Sequence, residues 1–253
     1  MQESPTVFTT HHLLKVFAIA FMTIDHVGAY LYPDILWLRA IGRLAFPIFL
    51  FLIGSTPLTP FRKDILIWAV VMAVAQPLLG GALFPLNILF TILACQWMLQ
   101  LVERKQLLER EPLMLCLACL ILALPTALFV DYGTGGLLFA LMGYAVRTGQ
   151  IMTRRGMMVA VAAFIFYIGL QLSLLAYDVY QQVWIIVSMV LLMGALACYR
   201  YRAVHLPMPA GVAHGVLYLS RYALAYYVLH RVVLQGLGLA AGILHFGWRW
   251  MEM

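Results

Sequence analysis

Ionisable side chains within apolar sequence are the residues of this chain with the clearest capacity for chemistry. The segment LLKVFAIAFMTIDHVGAYLY carries Lys15, Asp25 and His26. An ionisable group in the middle of a membrane-spanning helix costs at least about 2.5 kcal/mol, so each is a functional candidate. Lys15 and His26 lie eleven residues apart, which on a helix places them within about 20° of each other and about 16 Å apart along the axis. Asp25 points about 100° away from His26, toward a neighbouring helix.

Two arginines follow in the next apolar segment, LWLRAIGRLAFPIFLFLIGS. Arg39 and Arg43 are four residues apart and share a helix face, and Pro47 comes after them. For Arg39 the simpler interpretation is a side chain that extends to the outer membrane surface. Arg43 lies deeper, and two antiparallel helices would place it at a depth similar to that of His26. The two cations, the histidine and the nearby carboxylate can neutralise one another.

A second histidine stands near the middle of the last apolar segment, LSRYALAYYVLHRVVLQGLGL. This residue is His230, and Tyr226 precedes it by four residues on the same helix face. The sequence therefore predicts that His26, Arg43 and His230 form one layer within the membrane, with Lys15 on its cytoplasmic side.

Acyl transfer is a chemistry that would use such a layer. A neutral histidine in a low-dielectric site can take a proton from an amine or a hydroxyl, and an adjacent carboxylate such as Asp25 can orient the ring. His26 is the predicted base. Arg43 is expected either to stabilise the oxyanion of a tetrahedral intermediate or to bind a carboxylate or phosphate of the acceptor. We group His230 with these catalytic candidates.

Cations at the cytoplasmic end suit an anionic donor. Coenzyme A carries phosphates that Lys15, together with Arg62 and Lys63, is expected to hold while the pantetheine arm extends about 16 Å inward to His26. Three further polar residues are also predicted to bind the donor: Arg39, Asn87 and Tyr226. No metal site is expected, because the soft or carboxylate partners of a zinc site are missing apart from Asp25.

The elements that position these residues are predicted to be membrane-spanning helices. Apolar residues make up 64% of the 253 residues, charged residues 10%, and the mean hydropathy is +0.95. Apolar runs of about 17 to 23 residues are long enough as helices to cross about 30 Å of hydrocarbon. We expect an all-α polytopic integral membrane protein, a single domain over 1–253, with about nine spans (eight to ten). The predicted spans are 13–32, 35–56, 65–80, 84–102, 113–130, 133–148, 157–177, 181–199 and 219–244.

The boundaries near the carboxyl end leave two arrangements open. Residues 206–218 form either an interfacial helix that leads into the last span or the first of two helices in the final fifty residues.

Lysine and arginine placement predicts the orientation in the membrane. Cations cluster on every second connection, and the intervening connections hold Asp34, Asp131 and Asp178 with almost no cations. Short cytoplasmic loops are enriched in Lys and Arg, so the amino terminus is placed in the cytoplasm. The net charge of +6 is explained by juxtamembrane cations that favour anionic lipid, and no nucleic acid partner is expected.

The residues singled out above resemble the TraX family, conjugative-plasmid proteins associated with acetylation of the F-pilin amino terminus. The similar stretches are KVFAIAFMTIDHVGAYL, LRAIGRLAFPIFLFLIG, FPLNILF and LAYYVLHRVVL, in order from about residue 13 to residue 240. The resemblance rests most strongly on Asp25, His26 and Arg43, and less strongly on Asn87 and His230.

More distantly, the chain resembles the acyltransferase-3 class of membrane acyltransferases. Lys15 and His26, with ten residues between them, reproduce that class's first-helix pattern of a basic residue and a histidine. The resemblance implies that the histidine acts in acyl transfer and that the basic residue serves the acyl-CoA donor. Arg39 and Arg43 depart from the arginine pattern of the class, so no family role is carried over to them.

The leading hypothesis is a bacterial inner-membrane acetyltransferase that moves acetyl from cytoplasmic acetyl-CoA to a pilin amino terminus. Two alternatives remain open from the sequence. One is an O-acyltransferase that acts on a hydroxyl of a cell-envelope glycan or lipid. The other is a non-enzymatic factor for pilin insertion or maturation. A proton-coupled transporter is disfavoured, because the internal symmetry common in transporters is not visible.

Overall fold

A computed structural model describes residues 8–58, 62–204, 209–244 and 249–251, and this part of the chain is 76% helical. The helices, in chain order, are α1 Thr10–Tyr30, α2 Leu36–Gly42, α3 Ala45–Ser55, α4 Lys63–Leu78, α5 Ile88–Lys105, α6 Leu107–Arg110, α7 Pro112–Ile121, α8 Ala123–Ala127, α9 Gly135–Arg147, α10 Arg154–Leu174, α11 Val179–Ala197, α12 Ala210–Arg221 and α13 Ala223–Ala240. Four short strands accompany them: β1 Phe8–Thr9, β2 Ala82–Phe84, β3 Ala203–Val204 and β4 Arg249–Met251.

The all-α membrane class predicted from the sequence is confirmed in its coarse form. Within the described residues, five helical segments are long and apolar enough to cross a membrane: Thr10–Tyr30, Leu36–Ser55, Arg154–Ser173, Val179–Ala197 and Ala223–Ala240. The other predicted spans correspond to α4, α5, α7 with α8, and α9, which are shorter or more polar. The total of nine spans stays a prediction.

The second predicted span, 35–56, is interrupted rather than continuous. Helix α2 ends at Gly42 and α3 begins at Ala45, so Arg43 and Leu44 lie in a turn between them. Pro47 has no backbone N–H, so it cannot donate the helical hydrogen bond to the carbonyl of Arg43. The interruption therefore lies where the sequence removes one helical hydrogen bond.

The final fifty residues contain two helices among those described. Helix α12 has 12 residues and α13 has 18, and they meet at Tyr222. Helix α12 is too short to cross about 30 Å of hydrocarbon. This arrangement agrees with a short helix that leads into the last span.

Helix α9 forms the centre of the helical core and packs against α3, α5, α7 and α10. All of its residues from Gly135 to Ala145 are buried, as expected for a short helix that is apolar on every side. Its contact with α3 is a backbone contact: a Cβ atom on Gly54 would lie 1.8 Å from the Ala140 carbonyl oxygen, and one on Gly143 would lie 2.1 Å from the Phe51 carbonyl oxygen. Glycine at both positions allows this close approach.

Helix α1 lies beside this core and brings together the helices that carry the candidate residues. It packs against α2, α3, α12 and α13. At its amino-terminal end, β1 pairs with β3, and the Thr10 amide donates to the Arg202 carbonyl at 3.0 Å. Farther along the chain, Arg147 forms an ion pair with Glu103 at 3.1 Å. The amino-terminal segment therefore contacts the connection after α11, and the end of α9 contacts the end of α5.

The glycine contact between α3 and α9 predicts a large effect of substitution. Gly54→Val should destabilise the protein by at least about 3 kcal/mol, because the new side chain would overlap the α9 backbone. Gly169→Val is the matched control, since a Cβ atom at Gly169 meets nothing within 4 Å. Thermal unfolding of the two purified variants in the same detergent measures the difference. Equal melting temperatures would contradict the described packing.

Candidate functional site

A large cavity runs along helix α1. Its volume is about 1250 Å³, and its lining includes His11, Lys15, Met22, His26 and Tyr30 from this helix. These residues span nineteen positions, which corresponds to about 28 Å along the axis. Lys15 and His26 both line this space, and so does Asp25.

Asp25 holds together the charged cluster at the middle of the cavity. Its carboxylate lies 3.0 Å from Nη1 of the Arg39 guanidinium and 3.6 Å from Nε of Arg43. The same Arg39 nitrogen also donates to the Asp25 backbone carbonyl at 3.0 Å. The three side chains are only 12–17% exposed. Asp25 therefore reaches the neighbouring helix, as its position on α1 predicts.

The interpretation of Arg39 as a surface side chain is wrong. Its guanidinium turns inward onto Asp25 and lines the cavity. Two cations facing a single carboxylate have a physical reason, because a buried carboxylate needs both charge neutralisation and several hydrogen-bond donors. Arg39 makes the shorter of the two contacts to the carboxylate and also binds the Asp25 backbone carbonyl.

A chain of hydrogen bonds links the two candidate histidines. The Nδ1 atom of His26 lies 2.7 Å from Nε2 of His230, and Nδ1 of His230 lies 2.6 Å from the Tyr226 carbonyl oxygen. The carbonyl can only accept, so Nδ1 of His230 carries a proton. Neutral His230 then accepts at Nε2 and neutral His26 donates from Nδ1. With the protons placed in this way, Nε2 of His26 keeps a free lone pair.

Tyr226 holds the His230 ring in place and connects α13 to α1. Its ring stacks on that of His230 at a centroid distance of 4.8 Å, and its hydroxyl lies 2.9 Å from the Thr23 hydroxyl on α1. The predicted shared face of Tyr226 and His230 is confirmed by this stacking. Neither residue is in the lining of the cavity, so both act behind His26.

The expectation that a carboxylate orients the His26 ring is corrected by these contacts. Asp25 follows α1 toward Arg39, whereas the partner of His26 is His230 on α13. The reason is the 100° or so between successive residues on a helix, which sends neighbouring side chains to different helices.

The cavity also reaches the cations predicted for the donor. Lys15 and Arg62 both line it, and Arg62 forms a close ion pair with Asp64. The hydrogen bond from Arg62 lowers the pKa of the Asp64 carboxyl, so this pair remains ionised at neutral pH. Lys63 is exposed and does not line the cavity.

Asn87 lies outside the cavity and has a local structural role. It is 1% exposed, its side-chain oxygen accepts from the Leu89 amide at 3.1 Å, and its side-chain nitrogen donates to the Ala69 carbonyl at 3.0 Å. Both groups of the amide are thus used to cap α5 and to fasten it to α4. These contacts give no support to the predicted donor-binding role.

Sequence reasoning missed a third buried arginine. Arg231 lines the cavity, and its guanidinium donates to the hydroxyls of Tyr30 and Tyr227, both at 2.8 Å. The signal was present, since Arg231 is a charge directly after His230 within an apolar segment. The cost of a charge in mid-membrane applies to it as it does to Arg43.

Comparisons with known proteins cover the same elements. A protein-family model described as TraX protein matches residues 10–238. An uncharacterized protein, RP591, of Rickettsia prowazekii (strain Madrid E) is 39% identical over 80 residues, which is 32% of this chain and 32% of that protein. No solved structure is found to match the chain. The family match includes every charged residue of the cavity from Lys15 to Arg231.

The ion-pair cluster predicts a strong response to removal of its carboxylate. Asp25→Asn should destabilise the protein by about 3–5 kcal/mol, because it leaves two buried guanidinium groups without a counter-charge. Adding Arg39→Met should restore part of that loss, since one of the unpaired cations is removed. Thermal unfolding of the two single variants and the double variant in detergent measures this coupling. Strictly additive losses would show that the two side chains do not interact.

Proposed function

We propose, from the premise that this chain belongs to the TraX family, that it is a membrane acetyltransferase that takes acetyl from cytoplasmic acetyl-CoA. The family is associated with pilin acetylation, and membership suggests a pilin-related function in conjugation. The acceptor we propose is a pilin amino terminus in or beside the bacterial inner membrane. A hydroxyl of an envelope glycan or lipid is the alternative acceptor.

The observation that carries the proposal is the free lone pair on Nε2 of His26. His26 lines the cavity, and none of the hydrogen bonds among the described residues uses that nitrogen. The bond to His230 fixes the ring and its tautomer, so the basic nitrogen is held ready for a substrate. A base requires this combination of access and fixed orientation.

The transfer step can be written with this histidine as base. The acceptor nitrogen attacks the carbonyl carbon of the thioester while Nε2 of His26 takes the amine proton. The new carbon–nitrogen bond forms and the carbon–sulfur bond breaks. Coenzyme A leaves as a thiolate, which then takes from His26 the proton that came from the amine. His230 accepts the hydrogen bond from Nδ1 throughout, which supports the transient positive charge on the ring.

Donor binding is proposed at the other end of the cavity. Lys15 and Arg62 both line the cavity there. Charge-assisted hydrogen bonds from these side chains suit the phosphates of coenzyme A. The distance from Lys15 to His26 along α1, about 16 Å, leaves room for the pantetheine arm.

The proposed topology has nine spans and a cytoplasmic amino terminus. Support comes from the alternation of cation-rich and acidic connections and from the paired contacts at the cation-rich ends. In this orientation the Lys15 end of the cavity faces the compartment that contains acetyl-CoA.

The separate roles of His26 and Lys15 predict different kinetic defects. His26→Gln should lower single-turnover acetyl transfer by about 10²-fold or more while acetyl-CoA affinity stays nearly unchanged. Lys15→Ala should instead weaken donor binding by about 1.5–3 kcal/mol, because one charge-assisted hydrogen bond to phosphate is lost. The mass shift of a pilin acceptor, followed at increasing acetyl-CoA concentration, measures both effects.

Lys63→Ala is the matched control for Lys15→Ala, because Lys63 is exposed and outside the cavity lining. Excess donor should rescue Lys15→Ala and should not rescue His26→Gln. Full turnover by a folded His26→Gln variant would place the base elsewhere or make the protein a pilin-binding factor without chemistry.

The topology predicts the labelling of two exposed positions. In a Cys198→Ser background, Tyr180→Cys should react with a membrane-impermeant maleimide added to intact spheroplasts, and Met152→Cys should react only after the membrane is opened. Tyr180 is 79% and Met152 67% exposed, so neither side chain is covered by the rest of the protein. Labelling of Met152→Cys in intact spheroplasts would refute the cytoplasmic placement of the cation-rich connections.

A further inference from the structure

Beside the cavity lies a group of polar side chains that acid–base chemistry at His26 does not use. We call this group the tyrosine chamber, and it consists of Arg43, Tyr132, Tyr167, Gln171 and Tyr177. Arg43 and Tyr132 line the cavity directly, and Tyr132 and Tyr177 lie beside the Arg43 guanidinium.

Aromatic packing and helix spacing place the remaining members of the chamber. The Phe46 ring stacks on Tyr132 at a centroid distance of 3.9 Å and on Tyr167 at 5.7 Å. Tyr167 and Gln171 are four residues apart on α10 and therefore share a face. The cavity lining extends to Leu170 and Leu175, next to these residues in the chain.

Polar atoms of the chamber lack partners although they are buried. The Arg43 Nε, the hydroxyls of Tyr167 and Tyr177, and both amide atoms of Gln171 make no hydrogen bond within the described chain. Tyr167 and Gln171 are 0% exposed and Tyr177 is 5% exposed. Buried polar groups are almost always hydrogen-bonded, so a cluster of unpartnered ones points to a polar ligand.

Charge decides what kind of ligand fits. Arg39 and Arg43 share the single carboxylate of Asp25, and the longer of the two contacts is that of Arg43, at 3.6 Å. The cluster therefore carries one positive charge more than its carboxylate balances. The unpartnered groups next to it are mainly donors, namely one guanidinium N–H, two phenol O–H groups and one amide NH₂; the unpartnered acceptors are one oxygen each of Asp25 and Gln171. A cationic site rich in donors favours an oxyanion with several acceptor lone pairs.

We propose that the tyrosine chamber binds an oxyanion, a carboxylate or a phosphate, of the acyl acceptor, with Arg43, Tyr167 and Tyr177 as its donors. This inference rests on the proposed function and specifies its acceptor as one whose reacting amine or hydroxyl lies close to an anionic group. Arg43 and His26 line the same cavity, so an acceptor whose anion is held at Arg43 shares that space with the proposed base.

The chamber is separate from the donor end of the cavity. Lys15 lies ten residues before Asp25 in α1, which is about 15 Å along the helix axis. Coenzyme A held at Lys15 and an acceptor anion held at Arg43 therefore occupy opposite parts of the cavity. The two ligands should bind at the same time.

The test is an isothermal titration of the full-length chain in detergent, saturated first with coenzyme A. The carboxylate probe is N-acetylglycine, the phosphate probe is methyl phosphate, and the neutral probe is N-acetylglycinamide. At least one anion should bind with a stoichiometry near one, and the neutral amide should not bind. The tighter-binding anion identifies the source of the oxyanion.

Tyr177→Phe should weaken binding of that anion by about tenfold or more, because one hydrogen bond to a charged group is lost and the ring is kept. Tyr199→Phe is the matched control: its hydroxyl is also without a hydrogen-bond partner and it also lies outside the cavity lining, but its ring packs against Phe51, whereas Tyr177 lies beside Arg43. Its affinity for the anion should equal that of the unaltered protein.

Three results would overturn the proposal: no anion binding once coenzyme A is bound, equal binding of the neutral amide, or unchanged affinity in Tyr177→Phe. Each leaves the acetyltransferase proposal intact as long as the first titration shows coenzyme A binding. Failure of coenzyme A to bind counts against the acetyltransferase proposal. The anions are then titrated into the unliganded protein, and the affinities of Tyr177→Phe and Tyr199→Phe are compared in the same way.

Discussion

The ion-pair cluster of Asp25 with Arg39 and Arg43 is the constraint on which the site depends. A charge in the membrane interior must be paired, so α1 and α2 can pack only in the register that joins these side chains. The close approach is built into the backbone, because a Cβ atom on Gly42 would lie 2.4 Å from the Asp25 amide nitrogen. The interruption of the second span directly after Gly42 then sets the direction of Arg43.

Fixing the rotation of α1 in this way also decides where His26 points. With Asp25 turned toward α2, the next residue must face roughly a quarter turn away, which is where α13 lies. His26 meets His230 there, and the Tyr226 carbonyl sets the proton positions of both rings. One electrostatic requirement therefore produces both the structural pairing and the orientation of His26.

Much of this site could be predicted from energetic cost alone. Lys15, Asp25, His26 and Arg43 were identified because ionisable groups in apolar helices need a reason, and the structure brings all four to one cavity. Pairing was harder, since the bond between His26 and His230 depends on which helices become neighbours. A single sequence does not contain that information.

Local chemistry explains the remaining differences between sequence and structure. Asn87 precedes a helix, where an Asn side chain caps the backbone, so its polarity does not indicate a ligand. Arg39 lies near the end of a predicted span, and this position alone predicts a side chain at the membrane surface. The ion pair with Asp25, which turns the side chain inward, depends on the packing of α1 against α2. The proposed acetyl transfer is compatible with these findings, because a thioester and a neutral amine give an amide and a thiol without net change of charge. In that proposal a proton passes from the amine through His26 to the thiolate and leaves the cluster around Asp25 unaltered, so the proposed reaction suits a low-dielectric site whose fixed charges are already paired.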